Sequence, residues 1–101
     1  MDVVKLGKAL RNLLERLDSR LAERISPRQL RSYWSYLDAG ERTELLDALC
    51  ATLVKRQVPV TGEERDILAG ILAMYDNPDA RHTYVKDPEG VLAKLNVTSA
   101  S

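Results

Sequence analysis

From Val3 onward the apolar positions fall at Val3, Leu6, Leu10, Leu13, Leu14, Leu17 and Leu21. Steps of three and four put these side chains on one stripe of an α-helix, and Lys8, Arg11, Glu15 and Arg16 lie off it. The pattern predicts a first helix over residues 2–24. Ser26-Pro27 with Gln29 three after the serine reads as an N-cap, a proline at the first helical position and a capping box. Ile25 before that cap can staple onto Leu30. The second helix then carries Leu30, Tyr33, Trp34 and Leu37 inward and stops at Gly40, since glycine takes the left-handed conformation without penalty. A third helix starts near Glu41, buries Leu45, Leu46, Leu49 and Leu53, and ends at Lys55 and Arg56, cations suited to the negative end of the helix dipole.

Val58-Pro59-Val60 forces an extended link. Thr61 and Glu64 form a second capping box, and the helix behind it turns Ile67, Leu68, Ile71, Leu72 and Tyr75 inward. Asp76-Asn77-Pro78-Asp79 is a turn cluster, Ala80 to Lys86 is polar, and a short helix from Pro88 carries Val91, Leu92 and Leu95. The tail from Val97 to Ser101 is expected to fray. Val58-Pro59-Val60 is too short for a strand and holds a proline, so no strand is predicted. The expected fold is all-α: a compact bundle of four helices plus a short fifth helix, in a single helical domain spanning residues 1–101.

Composition narrows the chemistry. With 45% hydrophobic and 30% charged residues the chain has the profile of a globular domain and not of a disordered one. Fifteen basic and fifteen acidic residues leave no global charge to recruit nucleic acid or membrane. One cysteine excludes an internal disulfide, and one histidine excludes most histidine-based metal sites. No stretch approaches the roughly 18 apolar residues of a membrane span. The first twenty residues carry charges every three to four positions, unlike a signal peptide. The expected compartment is the cytoplasm, with no membrane partner.

No catalytic constellation emerges. His82, between Arg81 and Thr83, reads as an exposed loop histidine with no nucleophile or proton donor placed beside it. Cys50 sits mid-helix among leucines, where it is a small hydrophobe and not a thiolate. Glu63, Glu64 and Asp66 complement a helix dipole, and Gly62, Gly70 and Gly90 are isolated. The expectation is a non-enzyme with no catalytic residue, metal ligand or cofactor.

Charge is unevenly placed. Residues 1–31 hold eight Lys/Arg against four Asp/Glu, whereas residues 32–101 hold seven against eleven. Arg16, Arg20 and Arg24 stack on one helical row and repel, an arrangement that suits an anionic neighbour. Asp38, Glu41, Glu44 and Asp47 form an acidic strip expected to face away from the Leu45/Leu49 row. In Tyr33-Trp34-Ser35-Tyr36 the aromatics cannot all face one core, because consecutive helical residues are about 100° apart. Trp34 is expected inward, with Tyr33 or Tyr36 reaching the surface. The expected partner-binding residues are Tyr33, Tyr36, Asp38, Glu41, Glu44 and Asp47.

The run Leu37-Asp38-Ala39-Gly40-Glu41, then Leu45-Leu46-Asp47-Ala48-Leu49-Cys50, Leu53, Val58-Pro59-Val60-Thr61 and Glu63-Glu64 before a Leu/Ile helix resembles the Maf-type immunity proteins of polymorphic toxin systems. The resemblance spans about residues 37–75, and its positions are mostly helix caps and core leucines. It implies a cytosolic antitoxin that binds and neutralises a cognate bacterial toxin. Were that toxin a nuclease, its basic substrate surface would match an acidic strip. A second reading is a nucleic-acid-binding or regulatory module using Lys5, Lys8, Arg11, Arg16, Arg20, Arg24, Arg28 and Arg31. Against it stands an acidic third helix where a recognition helix should be basic. A third reading is a self-associating adaptor, a homodimer paired through the first helix.

Overall fold

The computed structural model describes residues 3–21, 25–75 and 82–98. The elements are α1 (Val3–Leu21), α2 (Pro27–Asp38), α3 (Arg42–Lys55), β1 (Pro59–Thr61), α4 (Gly62–Leu72), α5 (Pro88–Lys94) and β2 (Asn96–Thr98). The turn cluster Asp76–Asp79, Ala80, Arg24 and the last three residues lie outside the described residues. Helical positions dominate, as the periodicity requires, and the starts of α2 and α4 follow from their local sequence. Ser26 Oγ accepts from the Gln29 backbone N–H at 3.2 Å, with Pro27 at the first helical position. Around Thr61 both halves of the capping box form: Thr61 Oγ1 accepts from the Glu64 N–H at 3.1 Å, and Glu64 Oε1 accepts from the Thr61 N–H at 2.9 Å.

Two helix ends share one geometry. Gly40 has φ +78°, its N–H donates to Leu37 O, and the Glu41 N–H donates to Tyr36 O. Gln57 has φ +49°, its N–H donates to Val54 O, and the Val58 N–H donates to Leu53 O. Each is a left-handed residue closing a helix with paired bonds back to the last turn. A non-glycine residue tolerates this conformation poorly. Gln57 is held in it because its side-chain amide donates to Val54 O at 2.8 Å and to Lys94 O at 2.9 Å, tying the end of α3 to the end of α5.

The core is built mainly of leucine. Leu6, Leu10, Leu13, Leu14 and Leu17 of α1 meet Leu45, Leu46, Leu49 and Leu53 of α3 and Leu68, Ile71 and Leu72 of α4. Full burial of each such side chain contributes roughly 1.5–3 kcal/mol before the entropy of ordering it. α1 packs on α2, α3 and α4, and α3 packs on α2 and α5. Its buried arc is wide, taking in Cys50 and Thr52 as well as the leucines. The radius of gyration, 12.5 Å, matches the roughly 13 Å expected of a single 100-residue domain.

The absence of strands does not hold. β1 and β2 pair in parallel, with Pro59 opposite Asn96, Val60 opposite Val97 and Thr61 opposite Thr98. Pro59 is tolerated because it is the first residue of its strand. Burial of Val58 and Val60 anchors β1, and Asn96 Nδ2 donates to Gln57 O at 3.0 Å beside the ladder. Val97 and Thr98 are therefore paired rather than frayed.

Candidate partner-binding surface

The wide buried arc of α3 decides where its carboxylates go. Beside it the chain from His82 to Asp87 folds over α3, and Asp47 holds that segment. Asp47 Oδ1 accepts the backbone N–H groups of Tyr84 at 2.9 Å and Val85 at 3.1 Å. Val85 is buried, so the carboxylate pins a core residue in place. One turn earlier, Glu44 Oε1 lies 3.0 Å from His82 Nε2. The Glu44 side chain keeps 58% of its surface exposed, but one oxygen is engaged. His82 is not an exposed loop residue: it is 9% exposed, and its Nδ1 is buried without a partner. The four-residue strip thus divides, with Glu44 and Asp47 fastened to the 82–87 segment.

Asp38 and Glu41 are what remains open. Both are exposed at the corner between α2 and α3, and neither makes a side-chain hydrogen bond or ion pair with a described residue. Gly40 sets this corner, and the cation within it turns inward. Arg42 is half-buried, with its Nε out of solvent and 3.2 Å from where a Cβ on Gly7 would stand. Arg42 Nη1 also donates to Gly40 O at 3.5 Å, so the corner presents Asp38 and Glu41 beside a half-buried cation bonded to the corner's own backbone.

The aromatics are placed differently from expectation. Tyr33, not Trp34, is the buried one, at 2% exposure. Its Oη lies 2.6 Å from Thr52 Oγ1, which donates to Ala48 O and also accepts from Gln29 Nε2 at 3.2 Å. Gln29 Oε1 in turn accepts from Arg56 Nη1 at 3.2 Å, so the Gln29 side chain joins this network instead of completing the α2 capping box. Burial pushes the Tyr33 hydroxyl above its ordinary range, against the opposing pull of its bond to Thr52. Tyr33 is thus a core residue unavailable to a partner. Tyr36 is half-buried beside the acidic corner and stays a surface candidate. Trp34 is half-buried on the α1 side of α2, where the Arg11 guanidinium carbon sits 5.5 Å from the ring centroid.

The basic row of α1 is partly used inside the molecule. Arg16 Nη2 meets Glu63 Oε1 of α4 at 2.9 Å, an exposed pair of small energetic weight. Lys5, Lys8, Arg11, Arg28 and Arg31 are exposed, whereas the Arg20 side chain and all of Arg24 lie outside the described placement. Cys50 is fully buried, and burial, followed by the Asp47 charge, pushes its thiol up to about 12. A pocket of about 160 Å³ opens between Val54, Tyr84, Val91 and Lys94, below the roughly 300–1,000 Å³ of small-molecule sites. Among the described residues no group of three or more His, Cys, Asp or Glu side chains is placed to hold a metal ion, and no helix is long and apolar enough to cross a membrane.

Nothing in the sequence pattern signalled the two anchors from Glu44 and Asp47, the Arg11–Trp34 stack or the Tyr33–Thr52 bond. Each joins elements 19 to 38 residues apart, beyond the reach of helical spacing. Compared with family models, curated proteins and solved structures, the chain matches none.

Proposed function

We propose that this protein acts by binding, as an immunity protein that neutralises a cognate bacterial toxin domain through the acidic corner between α2 and α3. The observation that carries the reading is the corner itself: Asp38 and Glu41 exposed and unengaged, Glu44 mostly exposed one turn on, Tyr36 beside them and Arg42 turned toward Gly7. Carboxylates held on a helix-helix corner with Gly40 locked behind them are preorganised, and charge complementarity sets encounter rate and rejects wrong partners. A basic protein surface, such as the substrate-binding face of a nuclease toxin, is the matching chemistry. The resemblance over residues 37–75 supports the same role, although Gly40, Leu45, Leu46, Leu49, Cys50, Leu53, Thr61 and Glu64 serve caps and core in this fold.

The reading expects a toxin to be encoded beside this protein, and the test is co-expression with the variable C-terminal domain of a large exported protein found immediately upstream. Protection of growth, with a stable complex in solution, supports the reading. A toxic domain that kills equally with and without this protein ends it.

A further inference from the structure

We propose that the face formed by α1 and α2 around Trp34 is a second protein-docking surface, whose occupant is an acidic segment of a partner protein. It goes beyond the reading above, since the acidic corner selects a partner of opposite charge. Trp34 is the chain's one tryptophan, and it is half-buried with Arg11 over its ring at 5.5 Å. A guanidinium lying on an aromatic face still offers its N–H edge to a carboxylate in two parallel bonds. Tryptophan and arginine are also the residues most enriched where interface energy concentrates.

The surroundings give the occupant its sign. Among the described residues, Lys8 stands one turn from Arg11 and Arg31 one turn from Trp34, so three exposed cations, with Arg11, stand against the exposed carboxylates Glu15 and Asp38. The two carboxylates argue for protein over nucleic acid. Glu15 stands one turn from Arg11 and Asp38 one turn from Trp34, where each would oppose a phosphate backbone. An acidic protein segment can place an occasional cation or hydroxyl opposite them.

Trp34, the chain's one tryptophan, supplies the readout from this face. The full chain is titrated with a glutamate- and leucine-rich helical peptide, with a lysine-rich peptide and with a duplex oligonucleotide. The expected result is a saturable emission change with the acidic peptide and none with the lysine-rich one. Arg11→Glu with Arg31→Glu should weaken that binding by about tenfold or more. Lys55→Glu with Lys86→Glu, the same charge change on exposed positions away from this face, should weaken it by less than about threefold. Circular-dichroism melts check folding, and Arg31→Glu alone serves should the double variant not fold. No saturable change, equal loss in the two double variants, or tighter binding of the oligonucleotide than of the peptide would each overturn the proposal.

Discussion

The Asp47 carboxylate lies 2.9 Å from the backbone nitrogen of Tyr84 and receives its N–H, so a residue of α3 fixes a segment 37 residues further along the chain. The same oxygen takes the Val85 N–H. Charge-assisted bonds of this kind contribute more than neutral ones, and leaving two backbone donors unpaired at a partly buried site adds a desolvation cost. Asp47→Ala should therefore destabilise the fold by about 2–3 kcal/mol and Asp47→Asn by about 1 kcal/mol. Denaturant melts measure the loss, and amide exchange should quicken at Tyr84 and Val85 first. An Asp47→Ala protein as stable as the parent would show that the segment is held by other means. Reversing Glu44 and Asp47 together, which helical spacing alone would treat as harmless surface changes, should unfasten this segment.

Spacing turns both Tyr33 and Trp34 inward, but Tyr33 is buried and Trp34 only half-buried. Tyr33→Ala empties a buried ring site and should cost about 3–5 kcal/mol, whereas Tyr33→Phe loses mainly the bond to Thr52, about 1 kcal/mol. Trp34→Ala, at a half-buried position, should cost about 1–2 kcal/mol. Chemical denaturation of the three variants gives the order directly, and a larger loss for Trp34→Ala than for Tyr33→Ala would reverse the assignment.

Helices are legible in the sequence where their cause is local. Caps at Ser26 and Thr61, the stop at Gly40 and the leucine stripe of α1 each depend on residues within one or two turns. The contacts that helical spacing does not reveal share the opposite property. Val60 opposite Val97, Glu44 against His82 and Asp47 beneath Val85 are non-local. Reading α3 alone shows which side its leucines take, but not that the chain from His82 covers one flank. Of the strip carboxylates, Asp47 is for that reason half-buried beneath the segment, while Glu44 stays exposed with one oxygen engaged. The difference in burial between Tyr33 and Trp34 has the same origin, since which of two adjacent aromatics is more deeply buried depends on where α1 and α3 lie beside α2.

Alkaline pH should destabilise the protein through Cys50. Its thiol is raised from 9.0 to about 12 by burial first and the Asp47 charge second. With a raised folded value, the unfolded chain releases this proton first as pH climbs. The stabilising contribution is therefore full below about pH 9 and is lost progressively toward the folded value, at no more than about 1.4 kcal/mol per pH unit. Tyr33 and Tyr75, also raised by burial, add to the fall above about pH 10. Denaturation midpoints between about pH 8 and pH 10 should fall for the parent and stay flatter for Cys50→Ala, though that variant starts lower. Parallel curves would remove Cys50 as the cause.

Helix ends can be weighed against one another. Thr61→Ala removes the hydroxyl half of a complete capping box and should cost about 1 kcal/mol or slightly more. Gly40→Ala forces a Cβ into the left-handed region at φ +78° and should cost about 1 kcal/mol. Thermal melts of both variants should show lowered midpoints with unchanged helical spectra. A Gly40→Ala protein no less stable than the parent would mean that the α2–α3 corner is not locked, and the preorganisation argued for it would fall.

Growth protection by the variant Asp38→Lys with Glu41→Lys, against the cognate toxin domain that the proposed function requires, is the measurement that bears most directly on the acidic corner. Neither side chain bonds to a described residue, so the melting point should stay close to the parent's. Protection should be lost, with association slowed and its dependence on salt flattened. Full protection with unchanged association kinetics would contradict the corner as the binding surface.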